Sequence, residues 1–167
     1  MRTSNNVCYR IARKICLTAA IMATYTGIAF CTPNKINSFQ ELLTALKSGQ
    51  SVKVIIHYSN CRLVIAGKDE KAPEAIGGME LKLFEYFDVG AVNNKKAFIS
   101  SSENILISHP RYGYVYNYVK LRFFEDESVE IIARYLEPKT FEVKMDETFY
   151  TTINNIENDG AVYLYSD

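Results

Sequence analysis

The sequence has no tryptophan, only two histidines and no surplus of charge of either sign: 19 basic residues stand against 19 acidic ones. Two histidines, His57 and His109, leave little room for imidazole-based acid–base chemistry. No HExxH or GxSxG pattern occurs, and Gly77-Gly78 stands alone rather than in a glycine-rich phosphate loop, so it reads as a turn. The balanced charge hides two unlike parts. Arg2, Arg10, Arg13 and Lys14 are the only charged side chains before Phe30, and taking those four from the 19 basic residues leaves 15 against 19 acidic. A mildly acidic remainder is a poor match for nucleic acid, whose phosphates call for a basic footprint. There is no internal repeat, no low-complexity tract and no apolar run that reaches the ~20 residues of a membrane span.

An uncharged, largely apolar run, Ile15 to Phe30, follows directly on the basic stretch that ends at Lys14. Basic segment, apolar segment, then small residues is the order of a secretory signal. Gly27-Ile28-Ala29 offers a cleavage site, which predicts a signal peptide over 1–29 and one domain over 30–167; Ala23 is a second cleavage position. An uncleaved anchor and lipidation of Cys31 are the competing readings, and the bulky Phe30 before the cysteine argues against lipidation. After cleavage no stable membrane span is expected.

Four cysteines divide with these segments. Cys8 and Cys16 leave with the signal, and Cys31 and Cys61 remain. Two thiols in an exported domain are expected to pair, closing a loop of about 30 residues that adds roughly 3 to 4 kcal/mol. Two cysteines with His57 nearby do not make a metal site, and neither a metal nor a cofactor is expected. Cys61 and His57 as a nucleophile pair would need an extended path through Ser59-Asn60, which reads as a turn.

What the sequence has in abundance is tyrosine and phenylalanine, 12 and 9 residues. The amphipathic segment Asn37–Gly49 predicts a helix, with Ser38 and Glu41 as a capping box and Gly49 at its end. Beyond it, alternating apolar segments predict strands at 51–58, 61–65, 79–87, 97–107, 114–124, 129–136, 141–145 and 161–165, with a loop at 67–78. Residues 146–154 are expected to form a helical turn opened by Asp146. The fold class is therefore all-β: an antiparallel meander forming a small barrel or a strongly curved sheet, covered by the one helix, with a two-sheet sandwich as the competing arrangement.

Ile105 to Phe124 is the segment with the most unusual pattern. Two strands meet at a His109-Pro-Arg-Tyr-Gly113 corner, and Tyr112, Tyr114, Tyr116 and Tyr118 recur at every second residue. Side chains two apart on a strand share a face. Val115, Asn117, Val119, Leu121 and Phe123 occupy the other. The stripe reads either as core, with Tyr116 buried and Tyr112 partly exposed, or as a binding face, with Lys120 and Arg122 placed to receive an anionic group. His109 and Arg111 at the corner complete the candidate set.

Several blocks in order along the chain carry a family resemblance. Ala45–Val54, His57–Cys61, Ala75–Met79, Ile107–Gly113, Asn117–Lys120 and Lys139–Phe149 resemble the VirK family of exported bacterial proteins, a name drawn from virulence regions. The resemblance supplies no catalytic residues. It implies an exported, periplasmic or secreted protein associated with virulence or the envelope. Together with the stripe, this predicts a non-enzymatic binding or accessory factor whose partner is a protein, a glycan or a small apolar ligand. The alternatives are a hydrolase using His109 and Arg111, and a structural accessory of the envelope.

Overall fold

The structure, a computed structural model, describes residues 33–167. Its interior begins with local chemistry near the N-terminal end. Strand β1 (Asn34–Ile36) leads into helix α1 (Phe39–Lys47), where the Ser38 hydroxyl accepts the Glu41 backbone N–H. The Glu41 carboxylate reaches back to the Asn37 N–H at 2.7 Å, so two of the unpaired donors at the helix start are met. A third, the N–H of Phe39, donates to the Glu127 carboxylate at 2.8 Å, which ties the helix start to a distant turn. Phe39, Leu42, Leu43, Ala45 and Leu46 form the buried face.

The strands that follow are β2 (Val52–His57), β3 (Arg62–Ile65), β4 (Lys68–Glu70), β5 (Ile76–Glu80), β6 (Phe84–Phe87), β7 (Phe98–His109), β8 (Gly113–Phe124), β9 (Ser128–Leu136), β10 (Val143–Thr152) and β11 (Val162–Ser166). They form two antiparallel sheets and no closed barrel. One is four-stranded in the order β1-β11-β2-β5, and the other is seven-stranded in the order β4-β3-β10-β9-β8-β7-β6. The sequence expectation of a barrel or single curved sheet is corrected here. Each sheet keeps two edge strands, so neither closes on itself.

Apolar residues from both sheets and the helix meet in one cluster. Phe123, Phe149, Leu42, Ile56, Ile99, Leu121, Ile131, Ile153 and Leu164 are its largest fully buried members. The interior is therefore filled with side chains.

Three local expectations are also corrected. Residues 79–87 are not one strand. The chain leaves the four-stranded sheet after Glu80 and enters the seven-stranded sheet at Phe84. Leu81 makes the crossing, buried, with its N–H on the Val52 carbonyl at 2.8 Å. The segment from Asp146 is no helical turn; it continues β10, paired with β9 from Val143 opposite Leu136 to Thr152 opposite Ser128. Gly77-Gly78 is strand rather than turn, opposite Ile56 and Ile55. A Cβ at Gly77 would meet the Tyr58 ring at 2.8 Å, so glycine leaves room for that ring beside β5.

Candidate functional site

The corner is built by β7 and β8, which pair in register from Phe98 opposite Phe124 to His109 opposite Gly113. Gly113 has φ +70°, the left-handed conformation that closes the turn. Leu121 and Phe123 are buried in the core shared by the two sheets and Val115 is buried on the same face, so Tyr114, Tyr116 and Tyr118 lie on the outer face. The core reading of the stripe is thereby corrected. Tyr114 is 71% exposed, and Tyr116 and Tyr118 are half-buried against neighbouring strands.

Tyr112 leaves the stripe, because the turn breaks the alternation between it and Tyr114. Its ring stacks on His109 at 4.9 Å and 27°, and Tyr135 packs against both. His109 Nδ1 accepts the backbone N–H of Arg111 at 3.2 Å, and the Arg111 guanidinium lies over the Tyr112 ring at 6.0 Å. The corner thus gathers His109, Arg111 and Tyr112 into one cluster with Tyr135. Among the described residues no carboxylate hydrogen-bonds to His109.

The outer face can be read strand by strand from the register. Leu106, Tyr116, Leu136 and Val143 stand side by side on β7, β8, β9 and β10. Phe141 stacks on Tyr116 with the two rings 7° from parallel. Leu106, Tyr114, Phe141 and Val143 are all exposed, which makes an apolar, aromatic patch beside the corner. The next row is Asn104, Tyr118, Arg134 and Asp146, in which the Arg134 guanidinium holds the Asp146 carboxylate through bonds of 2.9 and 3.2 Å. Farther along, Arg122 donates to Glu130 at 2.8 Å. Its charge is therefore already paired with a carboxylate on β9.

On the inner side, Tyr58, Met79, Glu103, Ile105, Asn117 and Val119 line a cleft of about 140 Å³. Ligand pockets of drug-sized molecules run from roughly 300 to 1,000 Å³. Glu147 also points inward, between Met145 and Phe149 on β10, and burial raises its pKa. A carboxyl whose pKa is higher in the folded chain favours folding below its unfolded pKa, and that contribution is lost as pH rises through the folded value. Glu147→Gln is therefore expected to raise the melting temperature at pH 7. The gain should shrink as the pH falls toward about 4.3, the ordinary glutamate value. Thermal melts across that range check it, and an equal gain at every pH would contradict it.

Cys61 is buried, and its thiol donates to the backbone carbonyl of His57 at 3.7 Å rather than to the imidazole, which packs on Tyr163. Burial pushes the thiol pKa up to about 11, so at neutral pH it is a weak nucleophile. Cys61 forms no disulfide among the described residues, and Cys31 lies outside them.

No cluster of His, Cys, Asp and Glu suited to a metal ion occurs among the described residues. None of their helices is long and apolar enough to cross a membrane.

Comparison with known proteins now adds to this geometry. No curated protein matches the sequence. A VirK family protein from Legionella pneumophila has a similar fold, with a TM-score of 0.58 at 12% identity, covering 78% of this chain and 97% of that one. The family profile described as VirK protein matches residues 35–141, from β1 to the Phe141 that stacks on Tyr116. The chain belongs to the VirK family.

Proposed function

We propose that this VirK family member is an exported, non-enzymatic binding factor, and that it meets a protein partner through the outer aromatic face beside the corner. The observation that carries the reading is the exposure of Tyr114, Leu106, Phe141 and Val143 together on one face, over an interior already filled by Phe123, Phe149 and their neighbours. Exposed contiguous apolar surface of this kind marks interaction sites. The aliphatic share of the patch favours a protein surface over a sugar, which asks for more hydrogen-bonding groups around the rings. The small volume of the inner cleft favours the face over an enclosed small ligand. Export rests on the basic and apolar segments over 1–29. An accessory role in virulence or the envelope follows from the family resemblance.

The experiment is a capture assay with the full chain and a Tyr114→Ser/Phe141→Ser variant, read beside their melting curves. The variant is expected to melt like the parent and to lose the captured protein. Retained capture would count against the face. N-terminal sequencing of the exported form should begin at Phe30, and a retained Met1 would reject cleavage.

A further inference from the structure

The long hairpin of β7 and β8 outruns its neighbour on one side. β8 pairs with β7 along all of Phe98–His109, but β6 pairs with it only from Phe98 to Ser101. Among the described residues, the other edge of Ser102–His109 meets no strand. The bare segment reads Ser-Glu-Asn-Ile-Leu-Ile-Ser-His. Ile105 and Leu106 are each 52% exposed.

A bare edge of this length, with apolar residues at its middle, is a template for strand addition, and proteins usually blunt such edges with charge or brevity. The opposite edge of the same sheet is blunted in that way: β4 is three residues long, Lys-Asp-Glu, all exposed. The bare β7 edge is longer, and Glu103 is the one carboxylate on it.

We propose that this edge pairs with the same edge of a second copy, antiparallel about a two-fold axis at Leu106, joining two seven-stranded sheets into one. The segment is complementary to itself in that register and in neither neighbouring one that keeps the faces aligned. Leu106 meets Leu106, Ile105 meets Ile107, Asn104 meets Ser108, and Glu103 meets His109. Moving the axis to Ile105 sets Glu103 against Ile107; moving it to Ile107 sets Asn104 against Pro110. Cross-strand pairs of like character and of hydrogen-bonding partners are what stabilise a sheet.

The chemistry of the outermost pair is also complementary. His109 Nδ1 already accepts the Arg111 N–H, so the neutral ring carries its proton on Nε2 and has a donor left for a carboxylate. Glu103 is only partly exposed, on the inner face, with no hydrogen-bond partner of its own side chain among the described residues. The axis uses both ends twice, as a two-fold contact must.

The lengths fit as well. With the axis at Leu106, the partner's turn begins at Pro110 opposite Ser102, one residue before β6 takes over the edge at Ser101. The row Val143, Leu136, Tyr116, Leu106 would continue without interruption into Leu106, Tyr116, Leu136, Val143 of the second copy. This self-pairing uses the backbone edge of β7 and shares Leu106 with the outer face, whereas Tyr114 and Phe141, the positions that test capture of a different protein, lie off that edge.

Sedimentation velocity of the full chain should show a concentration-dependent dimer. Leu106→Lys places like charges opposite each other on the axis and should weaken the dimer at least tenfold while the melting curve keeps its cooperative form. Leu106→Cys is the milder variant should the lysine disturb folding. Under mild oxidation it should form a disulfide between the two copies at position 106, mapped by mass spectrometry against the parent's own cysteines. Ile65→Cys, partly exposed on a different strand, should not. A parent that stays monomeric to about 100 µM would overturn the proposal. So would a dimer indifferent to Leu106→Lys, or cross-linking at position 106 no faster than at position 65.

Discussion

Replacing Phe123 by alanine should lower the stability of the domain by about 3 to 5 kcal/mol, whereas Tyr114→Ala, nine residues earlier on the same strand, should change it by less than about 0.5 kcal/mol. Phe123 is fully buried where β8 faces the other sheet, and Tyr114 is 71% exposed on the outer face. Truncating Phe123 removes a ring from a filled interior whose other members, Leu121, Ile131, Phe149 and Ile99, are held by their own strands and cannot close the gap. Truncating Tyr114 leaves no cavity. Tyr116→Ala should fall between, since its ring is half-buried under Phe141 and beside Leu106 and Leu136. Urea unfolding of the three variants checks the order. Equal losses at Phe123 and Tyr114 would mean that the faces of β8 have been assigned the wrong way round.

Gly160→Ala should also be damaging, for a different reason. A Cβ at Gly160 would stand 2.5 Å from the Thr152 carbonyl oxygen, 2.7 Å from that of Ile153 and 2.7 Å from the Thr152 hydroxyl. Two of these are backbone atoms at the end of β10, and they cannot rotate away. The neighbouring bonds leave no slack either: Asn154 Nδ2 donates to the Gly160 carbonyl, Asn158 accepts the Gly160 N–H, and Ala161 N–H goes to the Thr151 hydroxyl. Adding one methyl group forces β10 and β11 apart where Ile153, Ala161 and Val162 are buried. Overpacking of this kind costs about 1 to 3 kcal/mol or more, and the full loss should appear in unfolding curves. Wild-type stability in Gly160→Ala would contradict the close approach.

Some of this was legible in the sequence because the physics is local. The cap at Ser38 and Glu41 can be read from residues within four positions of one another. The period of two along Tyr114, Tyr116 and Tyr118 says that they share a face, but period alone does not say which face is buried. Val115, Leu121 and Phe123 on the other side decide that, and only in competition with the opposing sheet. Tyr112 obeys the same spacing and yet departs, because the turn before Gly113 interrupts the strand.

Sheet membership was the harder part. The alternation of Met79, Leu81 and Leu83 looks continuous, while the chain changes sheets at Leu81 and leaves Leu83 71% exposed. Phe141 read as the first residue of a strand. It lies in the turn before β10, with φ +58°, and becomes part of the outer face by stacking on Tyr116 from 25 residues away. Tyr135 at the corner is likewise brought to His109 and Tyr112 by pairing of β9 with β8, which no spacing in the sequence announces.

Photo-cross-linking in the producing cells, from position 114 on the outer face and from position 147 on the inner face, tests the outer aromatic face as a binding surface. A discrete adduct with another protein is expected from position 114 and none from position 147. Silence from position 114, or an adduct from position 147 alone, would contradict a binding role for the outer aromatic face.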